Sequence, residues 1–522
     1  LEENMRTKIL SILLVFMTLT AAAVYASGGS ASGGSTSPAT GPVSMDYWLP
    51  IHPNAVQFIQ TYAQNEAYAE ACRRLNMKIN FIHPAQGGEQ ESFNLMMASG
   101  DLPDMIQGAA RYSGGVMKGV QDGVYIELSK VLQKGAPAYY GLINSSADMR
   151  REFYDESGEI GAFYTVLPYP PEPVWMRAIV RDDWLKEFNM QPPKTWAQYE
   201  TFLTTVQQKK PGAAPLYLPL SSQAPAGVQA MYGGFNIFPG WFVTDGKVRH
   251  GNADPVLKDY LTLLNDWYNK GLISKDFPSV TQQQVWSLFD TAKVGMYWDS
   301  VDNSGSRTRN LDFAIQSCPL PRLTEDTKLH LTLNPSRRGG NETAIVATSK
   351  NQDAALRFLD YGYTAEGSML FNFGIEGKMY NMVNGKPVYT DYVLNNPLYQ
   401  TENTNYILRI HFAPKLRVSD LEANPSVVKS PESVAFRNQW SNDPNEDGSY
   451  FLPAISLTAA ENTRRAEIMA NVNTYTDEMI MKFIIGTEPL ANFDKYMAQL
   501  NQYGMPEALA ITQAAYDRYM QK

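Results

Sequence analysis

Five histidines and two cysteines are all that the 522 residues offer as soft metal ligands or thiol nucleophiles. His52, His83, His250, His330 and His411 have no histidine three or four positions away, so a zinc site would need ligands from distant segments. Cys72 and Cys318 lie far apart and read as two small buried hydrophobes rather than as a disulfide. H-E-x-x-H, G-x-S-x-G, the G-x-x-x-x-G-K-[ST] phosphate loop and the G-x-G-x-x-G turn are all missing from the sequence. Asp443-Pro-Asn445-Glu-Asp447-Gly448 has the spacing that opens an EF-hand calcium loop. Ala454 stands where that loop needs a bidentate Glu, and Pro444 interrupts it, so the stretch reads as an acidic turn. The 53 acidic residues are too many for the sequence to single out a glycosidase carboxylate pair. No catalytic residue, metal or cofactor is expected.

Aromatic residues carry the positive signal. The chain has 9 Trp, 30 Tyr and 22 Phe. An indole face packs on the apolar C–H face of a pyranose, while carboxylates, amides and arginines bind its hydroxyls. Trp184, Trp196 and Trp267 fall at helical core spacing and are expected to pack internally. Trp48 and Trp298 end predicted strands, and Trp241 sits in the Gly/Pro-rich Phe238-Pro-Gly-Trp-Phe loop. Strand ends and loops are where open α/β sheets bind ligands, so these three are candidate stacking platforms. Trp298→Ala is accordingly expected to weaken sugar binding with little loss of stability. Trp175 follows Pro168-Tyr-Pro-Pro-Glu-Pro, a segment that suits a crossing between lobes.

The elements that must position these residues follow from periodicity. A short strand at Val43–Leu49, a helical pattern over 55–75, a strand at Met77–Ile82, a helix near 91–98 and a strand at Asp104–Gln107 form an α/β alternation. A second alternation runs through the strand 174–180, the helices 181–188 and 196–208, a helix 254–270 ending on Gly271, and the strand 293–298. A strand at 344–348 and a helix at 351–361 follow, and 458–519 is helical, broken near 486–489 and 504.

Composition bounds the rest. Lys and Arg number 44 against 53 Asp and Glu, a net charge of −9 without a basic run, which excludes phosphate backbones as partners. Arg6 and Lys8 precede an apolar run, Ile9 to Val24, shorter than the roughly 20 residues that span a bilayer. Val24-Tyr-Ala26 then supplies a cleavage site, so residues 1–26 read as a secretory signal peptide and 27–42 as a flexible leader. A periplasmic or secreted location is expected.

Several blocks resemble, in order, bacterial extracellular solute-binding proteins of ABC importers. Phe93-Asn-Leu-Met-Met-Ala-Ser-Gly-Asp-Leu-Pro-Asp104 is similar to that family's short helix, Ser-Gly, Pro-Asp and strand block. Arg181-Asp-Asp-Trp-Leu-Lys with Pro193-Lys-Thr-Trp-Ala-Gln-Tyr-Glu looks like its Arg-x-Asp-Trp-Leu … Pro-x-Thr … Glu block. Gly271-Leu-Ile, Lys293-Val-Gly-Met-Tyr-Trp, Gly374-Ile-Glu-Gly-Lys-Met-Tyr380, Lys482-Phe-Ile-Ile-Gly and Ala515-Tyr-Asp-Arg-Tyr519 extend the likeness over nearly the whole chain. The set resembles the long, oligosaccharide-binding branch of family 1.

That resemblance implies an α/β, two-lobed type II periplasmic-binding-protein fold, each lobe a mostly parallel sheet flanked by helices, with a helical C-terminal region. The expected division is 43–166 with 324–366 as the first lobe, and 167–323 with 367–522 as the second. It further implies a monomer that captures a carbohydrate by hinge closure and hands it to an ABC permease in the inner membrane. By position it points to Trp48, Arg111, Tyr112, Trp241, Trp298 and Asp299 as ligand contacts, and to Glu376 and Tyr380 as contacts or hinge braces. Relatives often carry a lipobox cysteine and an acidic calcium loop after the helix at 196–208. Here the cysteine is missing and the loop reads Lys209-Lys-Pro-Gly-Ala-Ala. The alternatives are a peptide or other small solute on the same fold, or a secreted carbohydrate-active enzyme.

Overall fold

The computed structural model describes residues 41–52, 55, 56, 58–167, 172, 173, 176–218, 227–300, 311–396, 398, 413–417, 435, 436, 438–440 and 442–521. The expected signal peptide, nearly all of the leader, and Trp175 lie outside them. The strands are β1 (Val43–Trp48), β2 (Met77–Ile82), β3 (Met105–Gln107), β4 (Glu172–Pro173), β5 (Met176–Arg181), β6 (Ala214–Tyr217) and β7 (Trp241–Thr244). They continue as β8 (Lys247–His250), β9 (Val294–Ser300), β10 (Ile315–Cys318), β11 (Leu333–Asn334), β12 (Thr343–Ile345), β13 (Tyr380–Val383) and β14 (Lys386–Tyr389).

Two four-stranded sheets form the frame, in the orders β12-β3-β1-β2 and β10-β5-β9-β6. In the first, β1, β2 and β3 run together and β12 runs against them. In the second, β6 and β9 are parallel neighbours, and β5 is antiparallel to both β9 and β10. Each sheet thus has three strands in one direction and one reversed, which agrees with the expected mostly parallel sheets. Helix starts are set locally. Asn65, Thr195, Thr281 and Thr458 each cap a helix by accepting a backbone N–H three residues on, and the last three form full capping boxes. The Asn65 cap also explains a difference from the expected 55–75 helix. The helix is only Glu66–Leu75, preceded by a separate 3-10 turn, Tyr62–Gln64.

Strand alternation divides the first sheet's side chains between two cores. Tyr47 and Met45 face one that also holds Tyr68, Phe163 and Phe358, while Trp48, Ile106 and Ala344 face a smaller one around Phe93. The second sheet is buried in a single large core with Trp196, Trp267 and Trp298, completed by Ile468, Val472, Phe483 and Leu500 of the C-terminal helices. Packing assigns each segment to a core. Leu329 and Leu331 belong to the second sheet's core, while Leu370, Phe371, Tyr380, Tyr389 and Ala413 belong to the first sheet's. Helical or strand periodicity says how a segment is built, but not which core it joins. Both cysteines are free, Cys318 buried and Cys72 half-buried.

Candidate functional site at the junction of the two sheets

Strand register shows where the sheets point. Thr343, which opens β12, pairs with Gln107, which closes β3, and the closing residue of β1, Trp48, pairs with Ile106. Met176, which opens β5, pairs with Ser300, which closes β9. The chain segments linking the sheets therefore meet both of them at the carboxyl ends of their like-directed strands. That rim is where open α/β sheets bind ligands. The linking segments pair with one another: β4 with β11, Val166 with Arg338, and Phe163 with Thr343. A third, at 413–417, lies along Val166 and accepts a hydrogen bond from Thr165 Oγ1 at the Ala413 carbonyl, 3.3 Å. A Cβ at position 339 would lie 3.0 Å from Thr165 Cβ, so Gly339 is what lets two of these strands approach.

On the first sheet's side, the loop after β1 is fixed from outside. His83 Nδ1 donates to the Leu49 carbonyl at 2.6 Å, and Gln86 Nε2 to that of Ile51 at 2.6 Å. Burial lowers the pKa of His52 to about 4, so the ring is neutral at pH 7. After β3 the chain turns at Gly108, in the left-handed region with φ +73°, into the helical turn Ala109–Arg111. Ala110 N donates to Glu342 Oε1 at 2.7 Å, and Gln90 Nε2 to the Arg111 carbonyl at 3.2 Å. The Arg111 side chain folds back over Gly108, where a Cβ would lie 3.2 Å from its Nε. That Nε is shielded from solvent and has no hydrogen-bond acceptor among the described residues. Tyr112 donates to Asp122 at 2.9 Å and meets Tyr125 edge-on. Burial, then the Asp122 carboxylate, raise its pKa. On the linking segment, Glu152 Oε1 accepts from Ser336 Oγ, Arg337 N and Arg338 N at 2.5, 2.7 and 3.0 Å. The Arg338 guanidinium lies 5.1 Å over the Tyr164 ring.

On the second sheet's side the charges are matched. Buried Arg177 pairs with Glu446 at 3.1 Å, and buried Arg322 pairs with Glu446 at 2.7 Å and Asp443 at 2.8 Å. The Asp443–Gly448 turn is thus held by arginine, with Asp447 hydrogen-bonded to His330 at 3.0 Å. No group of three or more metal-capable side chains exists among the described residues. Asp299 is buried and accepts from Trp286 Nε1 at 2.8 Å. A groove of about 670 Å³ opens between Lys118 and Gln121, on the helix Gly115–Gln121, and the segment Thr458–Glu467. Its lining has hydroxyls and charges but no aromatic ring.

The sequence candidates separate on this frame. Arg111 and Tyr112 stand at the first rim, and Asp299 at the second. Trp48 is buried below the rim, edge-on to Phe93 at 5.8 Å. Trp298 is fully buried against Tyr199 at 6.1 Å. Both end their strands, but a strand's side chains stand perpendicular to its sheet, and each indole points into a covered face. Neither is a stacking platform in this conformation. Trp241 belongs to the separate β7–β8 sheet, with Arg465 over its ring at 5.4 Å and His250 edge-on at 4.8 Å. Tyr380 is buried in the first core, its pKa raised to about 12 by burial, and Glu376 is exposed on the turn before it. That hairpin docks on the helix Glu66–Leu75 through the Lys378–Glu66 ion pair, so Glu376 and Tyr380 read as scaffold. Arg338, Glu342 and Gln90 escaped the sequence reading. Arg337-Arg-Gly-Gly340, two arginines and two glycines just before a strand, was the signal available for the first of these.

Comparison with known proteins places this architecture. LipO, a lipoprotein of Bacillus subtilis, is 26% identical over 343 residues, covering 60% of this chain and 63% of that protein. The polygalacturonan/rhamnogalacturonan-binding protein YtcQ of the same organism is 21% identical over 520 residues, 97% of this chain and 98% of YtcQ. The structure of the ABC-transporter substrate-binding protein FusA of Streptococcus pneumoniae, in complex with kestose, superposes with a TM-score of 0.76 at 18% identity, over 92% of this chain and 99% of FusA. The fold is the two-lobed type II solute-binding fold. The model of the bacterial extracellular solute-binding proteins matches residues 56–369, more than half of the sequence, and the chain belongs to that family.

Proposed function

We propose that this protein captures a carbohydrate, an oligosaccharide, at the junction of its two sheets and delivers it to the permease of an ABC importer. The observation that carries the reading is the convergence of both carboxyl rims on three paired linking segments. Such strands flex as a hinge, and ligand bridging both rims favours the closed arrangement that a permease can distinguish. FusA with kestose and YtcQ by its name support a saccharide. In this reading the lobes exchange near 335–342, and the first lobe takes in 343–396 and 413–417. Arg111 and Tyr112 contact ligand from one side and Asp299 from the other. The protein works outside the cytoplasm as a monomeric receptor and is not an enzyme. No helix of the described residues is long and apolar enough to cross a membrane.

A thermal-shift screen of the purified protein against mono- and oligosaccharides and peptides tests this. Ligand at 100 times its Kd stabilises the native state by about 2.7 kcal/mol. A shift with a glycan that stays chemically intact is the expected result. A shift with peptides alone transfers the fold to another solute, and glycan cleavage makes the protein an enzyme.

A further inference from the structure

We propose that the ligand bears carboxylates, as a uronate-containing oligosaccharide does, and that Arg111 and Arg338 are the side chains that read them. This rests on the carbohydrate reading above and narrows it.

Most arginines among the described residues stand beside acid; Arg150, Arg357 and Arg465 do not. Arg177, Arg181, Arg249, Arg322, Arg464 and Arg518 each stand within ion-pair distance of a carboxylate. Arg111 and Arg338 have no such partner among the described residues, in a chain whose acids outnumber its bases by 53 to 44. A shortage of carboxylates does not explain two unmatched guanidiniums. Both also stand at the junction, one beyond the carboxyl end of β3 and one on the segment leading into β12.

The surroundings of each fix its position without satisfying it. The Arg111 loop spends its backbone groups on Gln90 and Glu342, while the guanidinium rests over Gly108 with its Nε out of reach of water. A shielded N–H without an acceptor is unfavourable, a cost removed when the guanidinium turns onto a ligand oxygen. Arg338 has its backbone pinned by Glu152 and its guanidinium held over the Tyr164 ring. Glu342 is the acid on the same segment, and its Oε1 is held by Ala110 N. Sugar hydroxyls accept from arginine too, but a carboxylate accepts two parallel charge-assisted bonds of roughly twice the strength.

The test is calorimetric titration of the unmodified protein with trigalacturonate, its methyl ester, trimannuronate and maltotriose. The expected result is that a uronate trimer binds about tenfold or more tighter than the ester and maltotriose, an advantage that shrinks with added salt. Arg111→Gln and Arg338→Gln should each remove about tenfold of the affinity for the acid while leaving that for the ester within about twofold. Equal affinity for acid and ester, or tighter binding of maltotriose, overturns the uronate assignment and leaves the carbohydrate reading standing. Binding of peptides and of no saccharide overturns both. The acid–ester comparison needs no variant, so a substitution that fails to fold does not spoil it.

Discussion

Arginine serves opposite ends in the two halves of this molecule. In the second sheet's core, Arg177 and Arg322 are buried, converge on one carboxylate, Glu446, and share the turn that carries it. At the first sheet's rim, Arg111 rests over a glycine and Arg338 over a tyrosine ring, and neither pairs with an acid among the described residues. A cation whose partner is built in contributes to the fold, whereas one whose partner is left out can contribute to recognition. Burial and pairing decide between these, and neither is a property of the residue type.

The sharpest way to break the contrast is to remove the shared acid. Glu446→Ala removes the carboxylate that both buried guanidiniums share, while Arg322 keeps Asp443, and the expected loss is about 3–5 kcal/mol by denaturant titration. Arg111→Gln should stay within about 0.5 kcal/mol in the same experiment. Equal losses would erase the distinction. Trp298→Ala comes next, an expected loss of about 3–5 kcal/mol from a cavity in the same core. This reverses the sequence expectation for that residue, and unchanged stability would restore Trp298 to the binding surface. The smallest effect is a pH dependence. Burial lowers His250 to about 4, with Arg465 adding to the shift, and lowers His52 to about 4. Between about 6.5 and 4 the unfolded chain takes up protons that the native state refuses, so stability is complete above about 6.5 and declines as pH falls. A melting-temperature series across that interval should show the decline, and His250→Asn should flatten it.

What was legible in the sequence was local. Thr195 just before the helical run from Trp196 announces an N-cap, and Asp104–Gln107 announces a strand, because both depend on neighbours along the chain. The ordered blocks also carried the family and fold. The site was less legible. Trp298 closes a strand, but which face its indole meets depends on the helices packed there. Arg338 reaches the junction only through pairing with Val166, on a strand far away in sequence. The hairpin at 380–389 joins the first core through Phe373 and the helix Glu66–Leu75, contacts no periodicity encodes.

The last helix, Met505–Met520, has a mechanical consequence. It packs Met505 and Ala508 into the second core, yet near its end Arg518 pairs with Glu156 at 2.5 Å, in the stretch after the Ala147–Phe153 helix, as well as with Glu461 at 2.7 Å. The Arg151 guanidinium lies 5.5 Å over Tyr519 beside it. The chain's tail is thus a strap fastened across the joint, and any travel that parts these surfaces must first undo the buckle. Cutting the strap at its last turn would change how long the joint rests in the position seen here. When ligand selects that position, apparent Kd varies inversely with its occupancy, so residues that need not touch sugar can still set how tightly it is held.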